Sequence, residues 1–533
     1  MRHTIHTVTT LLVVATSVVA VSSCSAASKR SDQTGSANYA SNATFTMAVT
    51  ADPGVFNPYQ SQALYTTVAL AYDSLVNQQP NGEVVSGLAE KWTTAATSVS
   101  FTLRPGITCS DGTPLTASQV KADFDYLKNV KNGSPLYGSS VPATPFTVTA
   151  DETARTVKFV SKTPFGFPLL TLGATPIMCA AGLKDPSILK SRSDGTGPFV
   201  LTEEVVGSQY TFAVREGYKW GPGGATTAAP GTPAKVIIKL IPNETTAANL
   251  LLSGGVNFAP ISSANSSRLE ARGLKSVGGD EVGAELWFNQ QHNRPMADLR
   301  VRQALMSALD LAQVIKVSTN GKGAAATGLV TEAPKPCTGD TVSGQLPTYD
   351  VAKANTLLDQ AGWAMGSNHV RSNAGKPLSI NLHFYTAPPG NSPTAELIAQ
   401  AWKAIGATVK LTGENLTGMN NTMFVTGNYD VFLDGFGFSS PTQVVPFVSG
   451  AVPPTGQNLI GNHNSDYERL AAQAAQLSGA DACSAWNRAE QALYQEVAVA
   501  PISQQPVQNY LHKSEAQVLY GYNVIPTSIR VLS

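Results

Sequence analysis

The chain has 533 residues, of which 42% are hydrophobic and 14% charged, and its 36 basic side chains are balanced by 36 acidic ones. This length is too great for one hydrophobic core and predicts two or three domains. The neutral balance argues against a protein that coats nucleic acid or an anionic membrane, since either function needs an excess of basic side chains.

The first 44 residues have the pattern of an export signal followed by a tether. Arg2 precedes an apolar run at residues 8–21 that is too short for a membrane-spanning helix. Because Val-Ser-Ser stands directly before Cys24, we predict a lipoprotein signal peptide at 1–23 and lipid attachment at Cys24. An ordinary signal peptide with a chance cysteine is the alternative. Residues 24–44 are rich in Ser, Ala and Thr and are expected to form a flexible tether.

Four further cysteines follow the tether: Cys109, Cys179, Cys337 and Cys483. In an oxidising compartment they permit two disulfides in three different pairings. None of them has C-x-x-C spacing, which disfavours both a zinc site and thioredoxin-like chemistry.

Residues 88–127 predict a strand, two tight turns and a capped helix. Phe101 and Leu103 alternate with polar residues as in a half-buried strand, and two turns follow at 104–106 and 110–114. Thr116 stands three residues before Gln119, as in a capping box. The helix that follows places its apolar residues on one face: Val120, Phe124 and Leu127.

Strands and helices alternate along the rest of the chain. Strands are predicted at 45–50, 236–241, 285–289 and 408–411. Helices are predicted at 298–315, from the N-cap Asp350 to Gly362, and from the N-cap Ser392 to Gly406. A strand at 429–434 runs into Gly435-Phe436-Gly437-Phe438, and glycines at a strand end let the backbone approach a ligand closely.

Several of these segments resemble, in the same order, the solute-binding proteins of ABC transporters of the dipeptide, oligopeptide and nickel class, known as extracellular solute-binding protein family 5. The resemblance covers about residues 45–531. It rests on the Trp92 segment with F-T-L-R, S-D-G-T-P-L-T-A at 110–117, D-G-T-G-P-F at 194–199, R-V-R-Q-A-L at 300–305 and A-P-I at 500–502.

The resemblance implies an α/β protein with the two-lobed periplasmic-binding-protein fold and a hinge of two crossing segments. Lobe I would comprise residues 45–280, with an extra subdomain at about 80–200, and lobe II residues 281–500. Residues 501–533 would return to lobe I. Because each pair then lies within one lobe, we expect disulfides between Cys109 and Cys179 and between Cys337 and Cys483.

The resemblance also implies capture of a ligand and no catalysis. The expected ligand is a short peptide held between the lobes and delivered to a membrane permease. The protein would be a monomer, anchored by its lipid to the extracytoplasmic face of the membrane, without cofactor, bound metal or nucleic acid. The implied ligand-binding residues are Ala63, Leu64, Tyr65, Tyr137, Glu285, Trp287, Asp434, Gly435, Phe436, Gly437 and Phe438.

One departure from the family pattern concerns the peptide's free amino group. Peptide receptors carry an aspartate for this group shortly after the Gly-aromatic pair, whereas Ser439, Ser440 and Pro441 stand there in this chain. We therefore expect Asp434 or Glu285 to take its place, because an unpaired buried charge is costly.

Two alternatives remain open. One is a receptor of the same fold for a blocked peptide, glycopeptide, oligosaccharide or haem-like molecule. The other is a lipoprotein that uses the fold for interaction and not for transport. The sequence gives little support to a catalytic function, because the H-E-x-x-H, G-x-S-x-G and Walker patterns do not occur. Two matches to S-x-x-K, at 118–121 and 187–190, lack the S-D-N and K-T-G motifs that accompany it in penicillin-recognising enzymes.

Overall fold

The computed structural model describes residues 38–533 except 53, 55, 61–64, 135, 139, 143, 165, 263, 264, 387, 462 and 478. The predicted signal peptide, Cys24 and most of the predicted tether lie outside the described residues. Within the part of the chain that the structure describes, no helix is long and apolar enough to cross a membrane.

A seven-stranded sheet forms the core of the first lobe. Its strands, in spatial order, are Lys275–Val277, Asn509–Leu511, Phe258–Pro260, Thr44–Val49, Lys235–Leu240, Gln209–Val214 and Phe199–Val205. Thr44–Val49 runs parallel to both of its neighbours. The Asn257 amide ties this sheet together, because its Oδ1 accepts from Thr46 N–H at 2.8 Å and its Nδ2 donates to His512 O at 3.1 Å.

A four-stranded antiparallel sheet is also formed by the first part of the chain. It includes the strand of the predicted strand, turn and helix unit. Its strands are Ala89–Ala95, Ser98–Leu103, Thr156–Ser161 and Phe146–Asp151. The helix Ala117–Leu127 buries Val120, Phe124 and Leu127 as predicted.

The capping of that helix differs in part from the prediction. Thr116 accepts from Gln119 N–H at 3.1 Å, but the Gln119 side chain donates to Met178 O at 3.1 Å and does not reach back to the cap. The Glu152 carboxylate accepts instead from Ser118 N–H at 2.7 Å and so satisfies the start of the helix. A carboxylate there is also favoured by the helix dipole.

The second lobe is built on a five-stranded sheet. Its strands, in order, are Thr408–Glu414, Ser379–Tyr385, Val431–Leu433, Glu285–Phe288 and Val499–Pro501. The first three run parallel, and Glu285–Phe288 is antiparallel to both of its neighbours. Helices of this half of the chain are Leu299–Ser307, Leu311–Ser318, Val351–Gln360, Asn391–Ala404, Leu416–Asn421, Pro441–Val448, Ser465–Ala474 and Gly479–Gln495.

The single helix predicted at 298–315 is wrong, because the chain forms two helices there. Leu299–Ser307 ends before Asp310, and the Asp310 side chain accepts from Ala312 N–H at 3.0 Å to begin Leu311–Ser318. The hydrogen bonds from a capping side chain to the backbone compete with the backbone hydrogen bonds that would continue the first helix.

Two segments connect the large sheet with the five-stranded sheet. The strands Asp280–Val282 and Ser503–Pro506 pair antiparallel between them, and Ala324–Ala325 pairs with the second. This arrangement confirms the predicted two-lobed α/β fold with two crossing segments. The residue limits assigned to each lobe and to the extra subdomain stay a prediction.

Both expected disulfides are present. Cys109 is joined to Cys179, and Cys337 is joined to Cys483. The second disulfide attaches the loop around Cys337 to the helix Gly479–Gln495. This helix packs in the same hydrophobic core as Trp287.

Candidate functional site

The loop at residues 434–438, hereafter the glycine loop, lies where the middle of the five-stranded sheet meets the crossing segments. It follows the strand Val431–Leu433 directly, and Asp434 N–H donates to Glu285 O at 3.2 Å. A Cβ on Gly435 would overlap the Val282 side chain of the first crossing segment. Glycine at this position therefore allows the close approach of loop and hinge.

Glu285 holds the glycine loop from inside the protein. Its carboxyl Oε2 accepts from Phe436 N–H and from Trp287 Nε1, both at 3.1 Å. Its other oxygen has no hydrogen-bond partner among the described residues. Burial raises the pKa of this fully buried group well above its usual range, which favours its neutral form. A neutral, internally bonded carboxyl group orients the loop and is poorly suited to pair with a ligand cation.

Asp434 is the more exposed of the two carboxyl groups that were predicted to bind an amine, with 6% of its surface accessible. Burial raises its pKa to about 7, although the Gly435 N–H and the Asn391 side chain act in the opposite direction. The Asn391 amide lies 3.4 Å from its Oδ1. The group is therefore close to its midpoint at neutral pH, and a cation beside it would favour the ionised form.

A third carboxyl group, Glu332, was missed by sequence reasoning. Its Oε1 occupies the space that a Cβ on Gly437 would take, and its N–H donates to Phe438 O at 3.1 Å. Tyr522 OH, from the C-terminal segment of the chain, donates to the same Oε1 at 2.8 Å. Burial raises the Glu332 pKa to about 7; the Tyr522 hydrogen bond lowers it and Glu281 raises it. No local pattern around Glu332 would have indicated this placement.

The aromatic side chains of the loop form a cluster inside the second lobe. The Phe436 ring is approached edge-on by Trp287, with ring centroids 5.1 Å apart, and is stacked with Phe438 at 6.3 Å. Trp287 is fully buried and Phe438 is 4% exposed, whereas Phe436 is half-buried. Of the three aromatic residues expected to bind ligand, Trp287 and Phe438 therefore support the loop from behind, and only Phe436 is partly accessible.

Ser439 and Ser440 stand where the family pattern has an aspartate, and both take part in the start of a helix. The Gln443 side chain accepts from the backbone N–H of both serines, at 2.9 and 3.2 Å. Ser440 is the N-cap of the helix Pro441–Val448 and forms a full capping box with Gln443. These two positions supply helix-capping hydrogen bonds and no negative charge.

The remaining predicted ligand residues come from the first lobe. Ala63 and Leu64 lie outside the described residues, and Tyr65 begins the helix Tyr65–Ala71. Tyr137 is half-buried in a loop whose Ser134 Oγ donates to Tyr59 O at 2.8 Å. Contact between these residues and a ligand stays a prediction. No cluster of side chains suited to a metal ion occurs among the described residues.

The fold is two-lobed, and the glycine loop lies beside the segments that connect the two lobes. Residues 83–457 match the family model of bacterial extracellular solute-binding proteins, family 5 Middle. The chain belongs to this family, which confirms the predicted resemblance. Binding, and not catalysis, is therefore the function of its family.

Three similar proteins illustrate the range of the family. A Brucella ovis relative is 26% identical over 381 residues, and the chain spans 65% of that relative's length and aligns over 68% of its own. The periplasmic murein peptide-binding protein MppA of Escherichia coli is 26% identical over 470 residues, covering 81% of this chain and 82% of MppA. A substrate-binding protein of Microbacterium hydrocarbonoxydans, solved in complex with 4-hydroxybenzoate hydrazide, has a TM-score of 0.75 and 25% identity, covering 92% of this chain and all of that one.

Proposed function

We propose that this protein captures short peptides between its two lobes and delivers them to the permease of an ABC importer, while a lipid on Cys24 anchors it to the extracytoplasmic face of the membrane. Membership of the solute-binding family supports capture, and the name of MppA supports a peptide as the ligand. The observation that carries the proposal is the glycine loop, which follows a strand end beside the crossing segments and has carboxyl groups on several sides.

The glycine loop suits recognition of a peptide backbone. An extended peptide laid along a strand end exchanges main-chain hydrogen bonds with it whatever its side chains are, which suits a receptor that accepts many sequences. The ammonium group of the peptide needs a carboxylate. Asp434 is the better candidate, because Glu285 already accepts hydrogen bonds from Phe436 and Trp287 and its burial favours the neutral form.

A ligand without a free amine is the second candidate. Two observations favour it: Ser439 and Ser440 replace the usual aspartate, and the Microbacterium relative was crystallised with a hydrazide of an aromatic acid. The half-buried Phe436 would then stack on an aromatic or sugar ring of the ligand.

Mass spectrometry of the ligand that is released by denaturing the purified, untagged mature protein separates the two candidates. A ladder of short peptides with free amino termini is the expected result. A sugar, a tetrapyrrole or a blocked peptide would contradict the peptide proposal and favour the second candidate.

Asp434→Asn tests the amine anchor. Because a hydrogen-bonded charge pair contributes about 1.5–3 kcal/mol, we expect the variant to bind a free-amine peptide roughly 10- to 100-fold more weakly. The N-acetylated form of the same peptide is the matched control, since it lacks the charge and should bind both proteins equally. Calorimetric titration measures all four affinities, and an equal loss for both peptides would show that Asp434 acts only on the structure of the loop.

A further inference from the structure

The turn at residues 519–523, hereafter the C-terminal turn, belongs to the first lobe. It joins two short antiparallel strands, and Val518 and Val524 of these strands lie in the hydrophobic core of the first lobe. The side-chain amide of Asn509, in the seven-stranded sheet, donates to Gly521 O at 2.7 Å. The C-terminal turn is therefore fixed to the first lobe.

The segment at residues 331–334 belongs to the second lobe and lies against the glycine loop. Leu329 and Val330, directly before it, pack in a hydrophobic core of the second lobe. Glu332 N–H donates to the carbonyl oxygen of Phe438 in the glycine loop at 3.1 Å. The position of this segment is therefore tied to the position of the glycine loop.

Two hydrogen bonds join the C-terminal turn to the 331–334 segment and so connect the lobes. Tyr522 OH donates to Glu332 Oε1 at 2.8 Å. Tyr520 N–H donates to Ala333 O, also at 2.8 Å. Because hydrogen bonds of this kind span about 2.7–3.2 Å, a relative shift of the two segments by about 1 Å is enough to break both.

These hydrogen bonds lie beside the crossing segments. A Cβ on Gly279, which directly precedes the crossing segment Asp280–Val282, would lie 3.3 Å from Gly521 Cα in the C-terminal turn. The Glu281 carboxyl group of the same crossing segment acts on the pKa of Glu332. The contact between the lobes therefore lies at the place about which the lobes would rotate.

We propose that the two hydrogen bonds between the C-terminal turn and the 331–334 segment form a latch, in which Glu332 couples the contact between the lobes to the glycine loop. Glu332 is suited to this role because its N–H is bonded to the loop and its carboxyl group to the opposite lobe. Within the proposed function, on which this role rests, the latch slows the release of a ligand held at the glycine loop.

The charge of Glu332 sets the strength of the latch. Tyr522 and Glu281 face its carboxyl group, and Asp434 and Lys335 are the other titratable residues of the adjoining segments. Burial raises the pKa of Glu332 from 4.5 to about 7, with a lowering by Tyr522 and a further increase by Glu281. Opening the latch to water would return the pKa toward 4.5. The stabilisation by the proton is therefore complete below pH 4.5 and is lost as the pH rises through 7.

Tyr522→Phe tests the latch without a ligand. Hydrogen–deuterium exchange of the full mature chain, measured by mass spectrometry, follows residues 517–525 of the first lobe and 329–338 of the second. Because loss of one hydrogen bond shifts an opening equilibrium roughly 3- to 10-fold, we expect both peptides to exchange faster by that factor. Tyr349→Phe removes the hydroxyl group of an exposed tyrosine in the second lobe and should leave exchange unchanged.

The pattern of exchange separates the latch from a folding defect. The buried strand Val431–Leu433 should keep its protection in Tyr522→Phe. Faster exchange of residues 517–525 alone would show that Tyr522 acts only within its own turn and would overturn the proposal.

Glu332→Gln supplies a second test, because glutamine keeps an oxygen acceptor for Tyr522 OH and cannot ionise. Exchange is measured at pH 6 and pH 8 and corrected for its intrinsic pH dependence. We expect opening of the two peptides to increase up to about tenfold in the unmodified protein and to stay constant in the variant. An equal increase in both proteins would overturn the role of Glu332.

Tri-alanine serves as the probe that relates the latch to ligand capture. Stopped-flow measurements should show that Tyr522→Phe releases tri-alanine roughly 3- to 10-fold faster at a similar association rate. Unchanged release would overturn the coupling to the glycine loop. Failure of tri-alanine to bind the unmodified protein would count against the proposed peptide ligand, whereas the exchange measurements still decide whether the latch exists.

Discussion

At the scale of single residues, the glycine loop is surrounded by carboxyl groups whose charge is suppressed by burial. Glu285, Asp434 and Glu332 all have raised pKa values, and desolvation is the largest cause in each case. In the folded protein each of these carboxyl groups therefore favours its neutral form. A cation supplied by a ligand would instead favour the ionised form.

Glu332→Gln tests this reasoning through the pH dependence of stability. The pKa of Glu332 rises from 4.5 in the unfolded chain to about 7 in the folded protein. Its contribution is therefore fully present below pH 4.5 and is lost as the pH rises through 7, because the folded state holds the proton longer. We expect the free energy of unfolding of the variant, measured by denaturant titration at pH 5 and pH 8, to fall less with pH than that of the unmodified protein.

The control for this comparison is Glu515→Gln, since Glu515 is an exposed residue of the same type in the first lobe. Its pH profile should follow that of the unmodified protein. If Glu332→Gln also follows it, Glu332 is not held in a desolvated site beside the glycine loop.

At the scale of elements, the helix Gly479–Gln495 fixes the segment that carries Glu332. Cys483 is joined to Cys337, and Leu329 N–H donates to both the Glu490 carboxyl group and Tyr494 OH, the latter at 3.1 Å. These attachments lie on either side of Glu332 in sequence. They place Glu332 against Gly437 without any regular secondary structure of its own.

Replacing Cys337 and Cys483 together by alanine should therefore loosen this segment. A disulfide that closes a loop of this length contributes about 2–4 kcal/mol to stability, so we expect a loss of that order in denaturant unfolding under non-reducing conditions. The paired alanine variant of Cys109 and Cys179 is the comparison. It should lose stability to a similar extent but leave ligand affinity unchanged, whereas the Cys337 and Cys483 variant should lower both.

At the scale of the whole molecule, two paired crossing segments connect the lobes, and Gly166 lies in close contact with Thr442 and Trp486 of the second lobe. In the proposed function, a ligand bound between the lobes shifts the population toward the closed form. A side chain that separates the lobes therefore weakens binding without touching the ligand.

Gly166→Ala should show this effect. Its Cβ would lie 2.6 Å from the Thr442 methyl group, closer than such atoms can approach, so either the Thr442 side chain must rotate or the two segments must move apart. We expect several-fold weaker ligand binding and a larger radius of gyration by small-angle X-ray scattering, with little change in unfolding. Gly418→Ala, within the helix Leu416–Asn421 and with no neighbour nearer than 3.3 Å, is the control. Equal affinity of both variants would contradict a closed contact at Gly166.

The sequence by itself determined the features that depend on near neighbours or on family resemblance. The strand and helix around Phe101 and Thr116, the two disulfides and the two-lobed fold were all predicted, because caps, periodicity and motif order are visible along the chain. The tertiary structure alone decided which groups surround the glycine loop. Glu332 and Tyr522 are distant in sequence from Gly437, and Trp287 is core where a ligand contact was expected. Burial and desolvation depend on segments that meet only after folding, so no local pattern carries them.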